Sequence, residues 1–402
     1  MKNIWVILVL MLLMISCGGG SSSSSPERIT FTGGGELGIF DPSITRDPGD
    51  GRLWMSYSAV DSSIFYSTDV YWTVSIRLAY SDDNGGTWAD AGIAAAPYTE
   101  RVVGPMTVTD PLPAIGGTSA GTWQSETSSL IYDPGAPAKE RWKLIWFQYL
   151  NANLVSYFLD YSWIAMKTAA TPQDLATATP VKLFGGFGIQ PQGEITVAPA
   201  FSPIGGPPEV ALNADLTQAA VGESLADLAT CVFAEPGLAS TNTAVYLSIF
   251  CVDVSVPEEN LLHFRCESPC AMTDAGGWEY LGKLLTPADA AIEVNRDHYQ
   301  APAIVQKNGK SYLIATPVDT SVPDLNRYDG CRVYEFEDLD SSELLTDSGG
   351  LIEIENASGK PDLHNGACEG FPDLDGGIIY SQFDPDNAPE TFRIYKSGVG
   401  LP

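Results

Sequence analysis

Positive charge is scarce in this chain of 402 residues: 21 Lys+Arg stand against 50 Asp+Glu, a formal net charge of -29 at pH 7. So acidic a surface excludes nucleic acid as a partner, because a polyanion meets repulsion where a basic patch would release counterions. An anionic membrane surface is disfavoured for the same reason. Histidine is scarcer still, with three in the chain, and no C-x-x-C pair or Cys/His cluster has zinc spacing, so no metal site is expected from these residues. Long amphipathic helices are missing too; beyond the first residues, only 216–229 (LTQAAVGESLADLA) and 286–294 fit a helix. What the chain does have is 44% hydrophobic and 10% aromatic residues, enough for a large packed core and too many for a disordered acidic chain. Its 39 Gly and 28 Pro, set between short runs rich in Val, Ile, Tyr and Trp, describe many strands and many turns.

Residues 1–16 (MKNIWVILVLMLLMIS) place Lys2 before an apolar run that ends in a small residue. This is the layout of a cleaved signal peptide, and it is short for a membrane span, which needs about 20 apolar residues. Leu13–Cys17 (LMISC) resembles the bacterial lipobox, which implies lipidation at Cys17 after cleavage. Residues 17–26 then form the lipidated Cys and a flexible Gly/Ser linker, and 27–402 the folded domain. The expected address is the bacterial cell envelope, facing periplasm or exterior, with membrane contact only through the anchor. Six further cysteines, an even number in an exported chain, suggest disulfides. Six cysteines allow fifteen pairings and the sequence does not settle among them; the set taken forward is Cys231–Cys251 across a hairpin, Cys266–Cys270 locally and Cys331–Cys368 between neighbouring strands.

One unit recurs: a small-apolar segment, a loop often containing Gly, then an aromatic-rich strand. Its copies are DPSITRDPGDGRLWMSYS (41–58), TSSLIYDPGAPAKERWKLIWFQYL (127–150), APAFSPIGG…ATCVFAE (198–235), APAIVQKNGKSYLIATP (301–317) and NGACEGFPDLDGGIIYSQF (365–383). Further strands lie between them, such as 67–81 and 243–253. Repeated four-stranded sheets set radially make a β-propeller, and five units predict an all-β, five-bladed one acting as a monomer.

Ser81–Trp88 (SDDNGGTW) fits the Asp-box, S-x-D-x-G-x-T-W, a hairpin turn common in sialidases, and TDAGGW (273–278) is a shorter echo. The opening unit resembles that of the five-bladed glycosidases that include arabinanases and β-xylosidases (glycoside hydrolase family 43 and its relatives). The resemblance implies that Asp41, in D-P-S-I, is the general base. It also implies a second, protonated carboxyl, which inverting enzymes hold about 6.5–9.5 Å from the base to leave room for water. In the family this acid is a Glu just before a small residue and Pro. Here Gln300 stands there, before Ala301-Pro302, and an amide cannot donate a catalytic proton. Glu126, before Thr127 of the second unit, and Glu194, four residues before Ala198, are the replacement candidates, because partial burial raises a Glu towards the pKa a general acid requires.

His364-Asn365-Gly366 resembles the family's axial Gly-His-Asn segment, whose His helps to hold a central water or calcium. No cofactor is expected beyond such a structural calcium at the axis; the acidic loop 384–390 reads as a solvated turn. His298, Tyr299 and Gln300 are candidates for binding sugar hydroxyls. Trp123, Trp54, Tyr299 and Phe40 lie beside the inner strands, where aromatics either stack on sugar rings or pack between blades.

Three functions are therefore in play. The first is a surface-anchored glycoside hydrolase-like protein acting on a neutral polysaccharide or oligosaccharide through two carboxylates. The second is a non-catalytic carbohydrate-binding lipoprotein, which Gln300 favours. The third is a sialidase, favoured by the Asp-box but opposed by the count of five units against six blades and by a charge that repels sialic acid.

Overall fold

The structure, a computed structural model, describes residues 26–402 apart from 67–68, 97, 104–117, 153–155, 186–227, 229–230, 254–257, 273–276, 323–326, 360–362 and 371–376. Two short strands come first, β1 (Glu27–Arg28) and β2 (Thr30–Thr32). Blade 1 is β3 (Ile39–Arg46), β4 (Leu53–Tyr66), β5 (Asp69–Ser81) and β6 (Thr87–Ala95). Blade 2 is β7 (Tyr98–Val103), β8 (Thr118–Tyr132), β9 (Trp142–Ala152), β10 (Ser156–Ala169) and β11 (Val181–Gly185). Blade 3 is β12 (Cys231–Ser240), β13 (Ala244–Asp253), β14 (Glu258–Glu267) and β15 (Trp278–Leu285).

A short helix, α1 (Pro287–Glu293), leads into blade 4, where the 286–294 pattern predicts it. Thr286 caps it reciprocally with Asp289, and Pro287 fits the first turn, where an N–H has no partner to lose. Blade 4 is β16 (His298–Lys307), β17 (Lys310–Val318), β18 (Cys331–Glu335) and, after the small hairpin β19 (Thr346–Asp347) and β20 (Gly350–Leu351), β21 (Glu353–Ala357). Blade 5 is β22 (Asn365–Gly370), β23 (Gly377–Phe383) and β24 (Phe392–Gly400), completed on its outer edge by β1.

The innermost strands β3, β8, β12, β16 and β22 pack one against the next, and β22 returns to β3, so the ring is closed. The N-terminal segment seals it: β1 pairs with β24 of blade 5, while β2 runs parallel to β6 of blade 1. The five-bladed expectation holds, with one shift. The inner strand of the third blade starts at Cys231, where the sequence pattern places the unit's start at Ala198, outside the described residues.

Each inner strand bends at the same place. Asp41, Thr127, Glu235, Ala301 and Ala367 have φ of 49°, 45°, 48°, 47° and 49°, and the pairing of each inner strand with its neighbour slips there. These are β-bulges, which turn the strand and re-aim its side chains at the axis. A positive φ on a residue with a Cβ costs about 1–3 kcal/mol, which the surrounding sheet must over-determine. The amides there are held individually. Asp41 N donates to Ser381 Oγ (2.8 Å), Thr127 N to Ser58 Oγ (3.0 Å) and Ala367 N to Thr316 Oγ1 (2.9 Å), each hydroxyl coming from the second strand of the preceding blade.

Between blades the faces are apolar. Trp54, Ile76, Leu130, Trp142 and Trp163 join blades 1 and 2, and Val305, Ile314, Cys368 and Ile378 join blades 4 and 5. The three disulfides are the expected ones, Cys231–Cys251, Cys266–Cys270 and Cys331–Cys368, with Cα–Cα distances of 5.3, 5.5 and 6.0 Å. The β5–β6 turn is knotted by side chains. Asp83 accepts from Thr87 N and Ser81 Oγ, both at 2.8 Å, Ser81 Oγ accepts from Gly85 N (2.7 Å), and Trp88 is buried beneath.

Candidate active site

The bulges gather carboxyls from three consecutive blades at one end of the axis. Asp41 of β3 is the floor, 8% exposed. Its Oδ2 accepts from Ser58 Oγ (3.1 Å) and Thr127 Oγ1 (3.0 Å). Glu126 of β8 and Glu235 of β12 are half-buried beside it. Tyr149 OH donates to Glu126 Oε2 at 2.5 Å. Glu235 Oε2 accepts the Ala301 amide at 2.7 Å, and its Oε1 lies 2.9 Å from Tyr328 OH.

Carboxyls withdrawn from water and within reach of one another's charge resist ionising together. Burial, then the charges of Glu126 and Glu235, raise Asp41 well above the usual carboxylate range, against the pull of its two hydroxyl donors. Burial pushes Glu126 up to about 7, with Tyr149 opposing and the Glu235 charge adding to the rise. Burial also raises Glu235, opposed by the Ala301 amide and the Tyr328 hydroxyl. Asp41 and Glu126 titrate as an interacting pair, and the charge of Glu235 adds to the repulsion on both. Protonation of one glutamate removes a repulsion from Asp41 and leaves Ser58 and Thr127 to hold its charge.

Beneath the floor the axis contains a cavity of about 30 Å³ touched by all five inner strands, with Asp41, Thr127, Gly237, Ala301 and Ala367 among its walls. Glu369 of β22 also lines it; burial pushes this carboxyl up to about 8, although Gly370 N donates to it at 2.8 Å. Among the described residues, no group of three or more His, Cys, Asp or Glu side chains is arranged to hold a metal ion. The axial calcium therefore finds no ligand set in these residues and enters no step below.

No family model matches the chain, and no curated protein does. Its fold is similar to solved propeller glycoside hydrolases at low identity. One is an α-L-arabinanase of Cellvibrio cellulosa complexed with arabinohexaose: 13% identity, TM-score 0.47, covering 89% of this chain and 91% of that one. Another is a family 117 glycoside hydrolase from the marine bacterium Zobellia galactanivorans: 11% identity, TM-score 0.47, covering 94% and 90%. A third is a thermostable family-43 glycoside hydrolase: 12% identity, TM-score 0.44, covering 90% and 91%. With identities this low, the likenesses say nothing of substrate or reaction.

Of the sequence candidates, the structure brings Asp41, Glu126 and Gln300 to the pit. Gln300 Oε1 lies 2.7 Å from Tyr328 OH, and its Nε2 is 3.0 Å from His298 Nε2. His298 is buried one step behind, so it orients Gln300 instead of facing a sugar. His364 stacks on the Tyr328 ring (centroids 4.2 Å apart), buttressing that phenol. Asn365 is buried and ties down backbone: its Nδ2 donates to Leu363 O and its Oδ1 accepts from Gly359 N. Tyr299 turns away into the apolar cluster that spans blades 2–4, where its hydroxyl pairs with Tyr334 OH at 2.6 Å. Trp54 and Phe40 are likewise core residues. Glu194 lies outside the described residues, as do Cys17 and the segment before it, and so does the side chain of Trp123.

Glu235, Tyr328 and Glu259 are absent from the sequence reading. For Glu235 a signal existed: Glu235-Pro236 repeats the carboxyl-Pro pattern of Asp41-Pro42. The misplaced start of the third unit put it at the far end of a strand. Tyr328 comes from the loop between β17 and β18 and Glu259 from the third blade, and no local pattern marks either.

Proposed function

We propose that this chain is a glycoside hydrolase-like protein that cleaves a neutral polysaccharide or oligosaccharide in the axial pit, held at the cell surface by a lipid on Cys17. The observation that carries the reading is the convergence of Asp41, Glu126 and Glu235, from three blades, near enough that the two glutamate charges act on Asp41. Glycoside hydrolysis needs one carboxyl with its proton and one without, facing across the scissile bond. Burial and mutual repulsion supply that split here, because they keep the trio from ionising fully near neutral pH. Asp41, with two hydroxyls supporting its charge, is the base that activates water; one of the two glutamates is the acid. The other polar groups at the pit, Gln300 and Tyr328, suit sugar hydroxyls, and an acidic site inside an acidic protein disfavours an anionic sugar.

Export accords with the three disulfides. We read the Ser81–Trp88 turn as an Asp-box, a device of the blade and not of the chemistry. The sialidase reading calls for six blades, and the chain has five.

Capture of glycans without turnover is the second reading, favoured by the amide of Gln300 at the place of the family's acid. Release of reducing sugar from arabinan, xylan and galactan separates the two, with Asp41→Asn as control. Turnover that disappears in the variant supports hydrolysis. Binding without turnover in the wild type leaves only the capture reading.

A further inference from the structure

The inference deepens the hydrolytic reading and rests on it. A base that takes a proton from water must lose that proton before it acts again. Asp41 is the floor of the pit, 8% exposed, so a sugar in the pit lies over its way out. Downwards the axis offers a second way. The cavity of about 30 Å³ below the floor has room for about two waters, since one needs roughly 10–15 Å³. Among the described residues, its ionisable walls are Asp41 and Glu369; Cys368, also on the wall, is tied up in a disulfide.

Glu369 stands two residues beyond the bulge of β22, level with Ser43, which stands two residues beyond the bulge of β3. Two residues along a strand rise about 7 Å, a span that two waters in line can bridge. Glu369 and Ser43 also line a second space, an opening of about 170 Å³. Its other walls include Arg46, Tyr132, Ser240 and Gln306, at or next to the ends of β3, β8, β12 and β16 remote from the bulges. This opening is the mouth of the axis on the face opposite the pit. Glu369, nine-tenths buried, therefore parts the enclosed cavity from that mouth. Gly370 N donates to its Oε1 at 2.8 Å, and Ile44 N and the Ser43 hydroxyl bond the same carboxyl. The two amides can only donate, so the proton of a neutral Glu369 is left for Ser43 or for water on either side.

We propose that Glu369 is the proton-exchange residue of this site: through water in the axial cavity it receives the proton that Asp41 gains in each turnover, and it releases one to solvent at the opposite face. The protons balance. Water adds to the anomeric carbon as the glycosidic bond breaks, and its proton goes to Asp41. Asp41 gives a proton to the cavity water, and that water gives one to an oxygen of Glu369. Glu369 releases the proton it already carried, from its other oxygen, to the mouth. Asp41 is ionised again while product still fills the pit. The acid glutamate regains its own proton from solvent once the pit empties.

The test is a split between kcat and kcat/KM. The bond breaks before Asp41 sheds its proton, so the exchange governs kcat and not kcat/KM. Glu369→Gln should lower kcat on arabinan, xylan or galactan about 10-fold and leave kcat/KM unchanged. Glu369→Asp, which keeps a titratable group in the line, should restore kcat. Rising concentrations of imidazole should also restore it in Glu369→Gln, by taking the proton through the emptied pit, a rescue that a purely structural defect would not show. An unchanged kcat overturns the proposal, since the proton then leaves by the pit; so does a kcat that falls together with kcat/KM. Should Glu369→Gln fail to fold, Ala303→Val, which narrows the cavity from β16, decides by the same split.

A wild type that releases no reducing sugar defeats the hydrolytic reading itself, and the connection is then tested without substrate. At pH 6 the infrared difference between wild type and Glu369→Gln isolates the protonated Glu369 carboxyl. Asp41→Asn should displace that band, because the two groups share the same waters. An identical band overturns the connection.

Discussion

Glu235 Oε2 accepts the backbone amide of Ala301 at 2.7 Å, where hydroxyls of Ser381, Ser58 and Thr316 accept the equivalent amides of three other blades. The difference arises on the second strands. Thr316, Ser58 and Ser381 stand opposite the residue before the bulge in blades 4, 1 and 5, while Phe147 and Phe250 stand there in blades 2 and 3. With no hydroxyl at Phe250, the amide of Ala301 is held by a carboxylate, and the same contact aims that carboxylate into the pit.

The hydroxyl caps should be structural. Thr316→Val keeps the shape of a fully buried side chain and leaves the Ala367 amide unsatisfied. A loss of about 1–3 kcal/mol in denaturant unfolding is expected. An unchanged midpoint would show that the amide finds another partner.

Glu126 should set the base and not perform it. Its charge helps to raise Asp41, so Glu126→Gln makes Asp41 easier to ionise. The acidic limb of kcat/KM against pH should move to lower pH, with polysaccharide turnover retained. A limb that stays in place refutes the coupling.

Glu369 should make the fold weaken as pH rises. Its unfolded value is near 4.5 and its folded value about 8, so between them the folded chain keeps a proton that the unfolded chain has released. Stability from this group is therefore complete below the lower value and declines as pH climbs to the higher one, by at most about 1.4 kcal/mol per pH unit. Glu369→Gln cannot titrate, so its melting temperature relative to wild type should be higher at pH 8 than at pH 5.

Asp83 acts with the opposite sign. Hydrogen bonds from Thr87 and Ser81 hold its carboxyl down at about 2, so its contribution is present above the ordinary value of 3.8 and fades as pH falls towards 2. Asp83→Asn should melt earlier than wild type at pH 6, and the two curves should converge near pH 2.

Lipidation at Cys17 predicts that Cys17→Ser moves the protein from the membrane fraction to the soluble one. Retention of the variant in membranes would refute the anchor.

The sequence by itself determined the blade architecture, because that is written locally; it left fifteen pairings of six cysteines open, and the structure decided them, joining Cys331 of blade 4 to Cys368 of blade 5. Alternation along a strand decides which face is buried, and turn residues at regular spacing decide where strands end. Asp41 was singled out only through the family resemblance of its Asp-Pro-Ser-Ile segment, not by strand patterning. The contents of the pit were decided only by closure of the ring. Asp41 meets Ser381 across 340 positions, and Glu235 meets Ala301 across 66 and Tyr328 across 93. Those meetings depend on which bulges lie side by side around the axis, and on where a loop between β17 and β18 delivers one phenol. No periodicity encodes such neighbours, so Gln300 read alone suggests lost chemistry, while the structure sets its amide between His298 and Tyr328, with Tyr328 also against Glu235.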